Sequence, residues 1–408
     1  MSIKAQPEAQ KILVIRRDNI GDLVCTTPLF SALRKHFPKA HLAALVNSYN
    51  APVLRGNPDL DRVHIYRKAK HHLPAHSSSC ALLPRRQGDM LPATSHRIKA
   101  LSAAGFCFLS CLRIALSKGV SWFSRLAIWW QTAKLIHQLR QTRFDCIIIA
   151  TPTHSSSALR FARWIGARQI IAYGRNPELP ATPKAQEHES ESVMRLLTCL
   201  GINEAPGALR VFAEAKPNTE AQASSTAKSN SCAPTQTSPS PALIGLHLSA
   251  RKPEQRWPVE RFAELAHALH ARYGARFLLF WSPGAADHPQ HPGDDAKAEQ
   301  LQALCADLPL QAYPSQTLDE LIAGLAQCSQ VICSDGGAMH LAAGLGKPIL
   351  CFFGNSDIHR WHPWGVVHEC LQAPSRKVSD ISVSEALSAF DRIQSEIAAV
   401  ATKQSATT

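Results

Sequence analysis

Two short stretches carry residue types that could do chemistry on a phosphorylated ligand. The first, SDGGAMH (334–340), sets an aspartate, a glycine pair and a histidine side by side. A glycine pair lets the backbone turn sharply and approach a ligand closely. A helix starting near Ala338 would then aim its free N–H groups at that ligand, which favours phosphate. Asp335 would repel a phosphate, so it should face another part of the ligand, such as sugar hydroxyls. His340, in the first helical turn, could donate to a phosphate or pack. The second stretch, RRDNIGD (16–22), repeats the plan: Asn19 and Gly21 shape a turn, and Asp22 stands at a helix start, where it could equally be a cap or a dipole partner. A third stretch, NSDIHRWHPWG (355–365), crowds Asp357, His359, Arg360, Trp361, His362 and Trp364 into one loop. Two tryptophans suit a ligand-facing wall better than a solvated loop.

The elements that must position these loops can be read on either side of them. KILVIRR (11–17) is a continuous apolar run of the kind buried on both faces of a parallel sheet. A glycine turn, a helical pattern stopped at Pro38 and the run AHLAALV (40–46) follow, which makes a βαβ opening. Further strands are expected at RVHIY (62–66), 144–151, 167–174, 242–250, 275–281, in QVIC before Ser334, and in KPILCFFG before Asn355, with helical patterns such as 259–274 between them. That alternation specifies doubly wound α/β domains, and glycine loops on two of them imply a cleft between the two.

A chain of 408 residues with 45% hydrophobic and 18% charged residues is globular and long enough for two cores. The boundaries expected are an N-terminal domain over 1–213 with an inserted basic, Trp-rich segment over 67–140, and a linker poor in large apolar residues, expected to be disordered, over 214–241. A C-terminal domain over 242–376, a closing helix over 377–401 and a tail over 402–408 complete the chain. The formal charge of +13 attracts anions but does not choose among them. The twelve cysteines are scattered, several inside apolar runs, and read as reduced core thiols. No secretory apolar region opens the chain, which suggests a cytoplasmic protein. The most apolar stretch (100–112) falls short of the roughly 20 residues of a spanning helix.

The pattern over 122–140, with Trp122, Trp129 and Trp130 near one helical face, suits either a packed helix or one lying in a membrane interface. The D-x-D at 59–61 reads as a turn rather than a metal site, and His71, His72, His76 and Cys80 lack the paired cysteines of a zinc site. Neither a Walker pattern nor a G-x-S-x-G elbow occurs, against kinase and hydrolase readings.

The stretches ILVIRRDNIGDLVCTTPLFSALRKHFP, NPDLDRVHIY and SDGGAMHLAAGLGKPILCFFGNSDIHRWHPWG resemble glycosyltransferase family 9, the bacterial heptosyltransferases of lipopolysaccharide core assembly. The resemblance covers both domains but not the linker or most of 67–140. It implies a GT-B fold of two facing Rossmann-like domains with an interdomain cleft. It also implies an ADP-heptose donor held mainly by the C-terminal domain, an anionic lipid A-linked acceptor on the N-terminal side, and inverting transfer with no metal or other cofactor. By the same resemblance Asp22 is the general base, with Asn19 and Gly21 in its acceptor-side loop. Asp335 binds the heptose hydroxyls, and Gly336, Gly337, Ala338 and His340 hold the pyrophosphate. In HLSARKPEQRWP (247–258) the family places a lysine where this chain has Gln255, so Arg256 is expected to contact a phosphate and Ser249 to add a hydroxyl donor. Asp287 aligns with an acid that contacts the ribose.

The basic stretch from Arg67 to Arg97 would meet the anionic acceptor, with peripheral contact at the cytoplasmic face of the inner membrane. Two rival readings stay open. One is a same-fold transferase with another nucleotide-sugar or acceptor, which Gln255 and the inserted segments suggest. The other is a non-catalytic membrane-associated binding protein, against which Asp22 and Asp335 both speak. Nucleic-acid binding rests on charge alone, without a recognition helix or aromatic sheet motif, and is not expected.

Overall fold

A computed structural model of the protein describes residues 11–67, 122–176, 179, 184, 186–214, 241–286 and 293–405. Most of the expected linker and of the basic segment, Asp287 and the last three residues lie outside the described residues. The chain falls into two compact units, Met1–Tyr66 with Leu139–Thr408, and Arg67–Gln138.

The first unit holds both sheets. Its opening half runs β1 (Lys11–Ile15), α1 (Ile20–Val24), α2 (Thr27–His36), β2 (His41–Asn47) and β3 (Arg62–Tyr66). A helix, α3 (Trp122–Thr142), precedes β4 (Cys146–Ile149), α4 (Ser156–Ile165), β5 (Gln169–Ile171) and α5 (Glu189–Met194). The other half runs β6 (Leu243–His247), α6 (Val259–Tyr273), β7 (Arg276–Trp281), α7 (Asp295–Leu304), β8 (Leu310–Pro314), α8 (Leu318–Gln327) and β9 (Gln330–Ser334). It closes with α9 (Gly337–Gly344), β10 (Ile349–Phe353), α10 (Ile358–Trp361), β11 (His368–Gln372) and α11 (Val383–Ser405), which extends past the expected end at 401.

Both sheets are wholly parallel. The first has the order β3-β2-β1-β4-β5 and the second β11-β10-β9-β6-β7-β8. The central strands are buried on both faces, which is why KILVI, CIII, QVICS and ILCFF read as unbroken apolar runs. In each sheet the order reverses at one pair, β1/β4 and β6/β9. The loops leaving those strands diverge there and open a crevice at the carboxyl ends.

Local chemistry fixes the supporting helices. α2 begins with Pro28 in its first turn, buries Leu29, Phe30 and Leu33, and ends with Arg34, Lys35 and His36 at the negative pole of its dipole. The D-x-D pair serves this packing. Asp59 accepts from Ser31 at 2.6 Å and from Arg210 at 3.0 Å, while Asp61 accepts from Arg34 at 2.8 Å and from the Leu42 amide at 2.7 Å. Trp257 is core: its indole donates to the Ile381 carbonyl at 2.9 Å and its ring packs against Phe262 and Phe352. The described cysteines are free thiols, with Cys25, Cys146, Cys305, Cys328, Cys333 and Cys351 buried.

The two halves of this unit meet where α1 packs on α9. A side-chain carbon on Gly21 would lie 2.5 Å from the His340 ring, so only glycine admits this approach. Val211, on the segment leaving the first half, donates its amide to the Gly344 carbonyl at 2.8 Å.

The second unit is described along α3. There Trp129 and Trp130 meet edge to face at 5.6 Å and are 64% and 63% exposed, so neither is a core residue. Among the described residues no helix is long and apolar enough to cross a membrane.

Candidate active site

A cleft opens over the carboxyl ends of β1, β6, β9 and β10. Asn19, Gly21 and Asp22 line one side of it, and Ser249, Asp335, Gly336, Gly337, Ala338 and His340 the other. The two loops singled out in the sequence are therefore brought together, because each leaves its sheet at the point where the strand order reverses.

Asp22 lies on the first turn of α1, with its side chain 15% exposed. One oxygen, Oδ1, accepts from Arg16 Nη2 at 2.7 Å. The other, Oδ2, accepts from the Asn19 amide at 3.0 Å and from Asn19 Nδ2 at 2.9 Å, the reciprocal side of a capping box. Burial pushes this carboxyl up, but the Arg16 guanidinium and the Asn19 hydrogen bonds outweigh it and hold the group below the usual carboxylate range. Asp22 is thus ionised at neutral pH and fixed in aim, and Asn19 is the residue that fixes it.

On the opposite wall, Asp335 ends the run out of β9 with its amide bonded to the Phe352 carbonyl at 2.9 Å. Its Oδ2 accepts from Gln255 Nε2 at 2.9 Å, and the same nitrogen lies 3.2 Å from Ser356 Oγ. Gln255 therefore sits in the site itself, clamping the aspartate without cancelling its charge as a lysine would. Gly336 has an extended backbone (φ 164°), and a side-chain carbon there would meet nothing closer than 4.0 Å. What the bare glycine leaves is open space in the cleft above the α9 amides, rather than relief of a strained turn. His340 is 3% exposed, with Nδ1 3.6 Å from Cys25 Sγ and its ring edge toward Trp361. Burial holds its imidazole below the usual range against the pull of Asp335, Asp22 and Glu189. To any ligand in the cleft its ring could therefore offer an N–H, not a cation.

The remaining expected residues divide. Ser249 lines the cleft, but its hydroxyl donates to Asp294 at 2.6 Å and accepts from the Ser282 amide at 2.9 Å. Arg256 turns back, its Nε donating to the Ala250 carbonyl at 3.0 Å, and is absent from the lining. The cations that do line the cleft are Arg251 and Lys252, on the loop after β6, both exposed. Nothing marked them in the sequence beyond their place just before the Trp-Pro pair.

A second hollow adjoins the first and also includes Asp22. Its wall is the run Thr151–Ser157, leaving β4 and entering α4, where Ser155 caps the helix by accepting from the Ala158 amide at 3.3 Å. Arg16, Asp18, Glu189 and Arg360 complete it. Among the described residues no group of three or more histidine, cysteine or acidic side chains is arranged to hold a metal ion.

Two doubly wound parallel sheets, with the site in the cleft where their carboxyl ends face each other, make a GT-B architecture. Residues 132–387 match the sequence profile of "Glycosyltransferase family 9 (heptosyltransferase)", and the chain belongs to that family. Lipopolysaccharide heptosyltransferase 2 of Escherichia coli (strain K12) is 24% identical over 359 residues, covering 85% of this chain and 83% of the relative. The solved family 9 glycosyl transferase of Veillonella parvula superposes with a TM-score of 0.62 at 17% identity, covering 96% of this chain and 100% of that one. The structure of E. coli ADP-heptose lps heptosyltransferase II does so with a TM-score of 0.60 at 16% identity, covering 95% and 99%.

Proposed function

We propose that this glycosyltransferase moves heptose from ADP-heptose to a hydroxyl of an anionic, lipid-linked lipopolysaccharide core acceptor, with inversion and with Asp22 as general base. The observation that carries the reading is that Asp22 lines both hollows, so one carboxylate can reach a donor carbon on one side and an acceptor hydroxyl on the other.

The donor lies in the first cleft with its diphosphate over the amino end of α9 and beside Arg251 and Lys252. Its sugar lies toward Asp335, which accepts from the hydroxyls. The acceptor sugar enters the second hollow, whose serine and threonine hydroxyls suit a polyhydroxylated ligand. As the acceptor oxygen attacks the anomeric carbon, its proton passes to Asp22, the bond to the diphosphate breaks, and ADP leaves. The charge growing on the leaving phosphate is met by the helix amides and the two cations. A base held below the usual range works here because the attacking hydroxyl turns strongly acidic as its new bond forms. The exposed pair Trp129 and Trp130 supports a peripheral membrane placement, near a lipid-linked acceptor.

The donor is tested by the thermal stability of the protein with ADP, UDP, GDP and dTDP in parallel. At 100 times its dissociation constant a ligand stabilises by about 2.7 kcal/mol. A rise in melting temperature with ADP alone is expected. A response to another nucleotide instead would keep the fold and discard the donor.

A further inference from the structure

We propose that Glu189 is a positioning residue for this transfer, acting on Asp22 through the one guanidinium nitrogen of Arg16 that the two carboxylates share. The inference rests on Asp22 as the base, the reading proposed above. Arg16 leaves the end of β1 fully buried, and its Nη2 donates at 2.7 Å to Asp22 Oδ1 and at 2.6 Å to Glu189 Oε1. Its Nη1 donates to the Ala150 carbonyl, which ties the guanidinium to the end of β4. Glu189 is 0% exposed on the first turn of α5, and its second oxygen, Oε2, accepts from Arg360 Nη2 at 2.8 Å and Nε at 3.2 Å. Arg360 lies on α10, next to Trp361, which lines the donor cleft.

The chain of contacts is therefore Asp22, Arg16, Glu189, Arg360, running from the base along the wall of the second hollow and ending beside Trp361 of the donor cleft. A carboxylate paired with a buried arginine alone would be a poor proton acceptor, because the cation stabilises its ionised form. Glu189 takes part of that cation's charge and holds its plane, and Arg360 in turn holds Glu189. No substrate need touch Glu189 for it to act. Arg16 bears directly on Asp22, and Cys25 beyond its own helix and His340 on α9 feel the Asp22 charge; Asp18 and Glu189 are paired with Arg16, Arg360 is paired with Glu189, and Asp335, Arg251 and Lys252 line the same cleft.

Two substitutions push Asp22 in opposite directions, which a purely structural role would not do. Glu189→Gln removes a negative charge and leaves Arg16 to Asp22 and the more exposed Asp18, so the acidic limb of the pH–rate profile should move down by about one pH unit and kcat should fall about tenfold. Arg360→Gln removes a positive charge and leaves Glu189 drawing on Arg16 alone, so the limb should move up by about one pH unit. The profiles are measured with ADP-heptose and a lipid A-linked core acceptor. Limbs that stay in place, or that move the same way in both variants, overturn the proposal. Should the buried substitution Glu189→Gln prevent folding, Arg360→Gln, on a partly exposed side chain, reads the network by itself, and an unmoved or lowered limb overturns it. If wild type leaves ADP-heptose unconsumed, the donor assignment fails instead, and the same profiles are read with the nucleotide-sugar that wild type does consume.

Discussion

Asparagine in place of Asp22 should lower turnover by about 10²–10⁴-fold, the range for loss of a general base, while ADP affinity stays within about twofold. The amide nearly preserves the shape of the carboxyl, and the two donors of Asn19 can still meet its oxygen, at the loss of the hydrogen bond from Arg16, which the amide NH2 then faces. What it cannot do is take a proton. Arg16 loses one of its acidic neighbours but keeps Glu189 at 2.6 Å, so the buried guanidinium is not left without a counter-charge. Steady-state transfer rates and calorimetric ADP binding, measured on one preparation, separate the two effects. Turnover close to wild type would remove Asp22 from the mechanism. Equal losses of turnover and ADP affinity would mean that the loop from Arg16 to Asp22 had collapsed.

Alanine at position 335 should act on the other substrate component. Gln255 holds Asp335 Oδ2 at 2.9 Å, so Oδ1 is the oxygen left for a ligand hydroxyl. Hydrogen bonds to a charged acceptor contribute about 1.5–3 kcal/mol, so the variant should bind an ADP-sugar roughly 10–100-fold more weakly. ADP, which has no sugar at that position, should lose less than about threefold, since a carboxylate near phosphates is at best neutral to their binding. Parallel titrations with ADP-heptose and ADP make the comparison. Equal weakening of both would place Asp335 at the diphosphate rather than at the sugar.

Much of this arrangement can be read in the chain, and the parts that cannot share a physical cause. Strands buried on both faces are visible as apolar runs, which is how β1, β2, β4, β6, β7, β9 and β10 stand out. The edge strands β8 (LQAYP) and β11 (HECLQ) are only partly buried, show neither a continuous apolar run nor strict alternation, and so carry no such signal. The glycine loops are legible because strand, turn and helix follow one another locally, and doubly wound topology then brings the two loops together. The contacts that set the charge of the site are not local. Arg16 meets Glu189 across 173 positions and Gln255 meets Asp335 across 80. No spacing rule links such residues, and Glu189 sits in an acid-rich stretch that reads as ordinary surface. Gln255 is conspicuous only as a departure from the family pattern, and its role as the clamp on Asp335 needs the folded chain. Arg256, the basic residue nearest that departure, instead faces the Ala250 carbonyl, because Trp257 beside it is anchored in the core.

Whether a heptose passes from ADP-heptose to a lipopolysaccharide core acceptor, in the cleft that Asp22 and Asp335 face, is tested most directly by mass spectrometry of a lipid A-linked core acceptor incubated with the protein and ADP-heptose. The proposed reaction predicts an acceptor heavier by a single heptose, with one ADP released per sugar transferred and no product from the Asp22→Asn variant. An unchanged acceptor in the presence of intact protein and donor, or an equal yield from the variant, would contradict it.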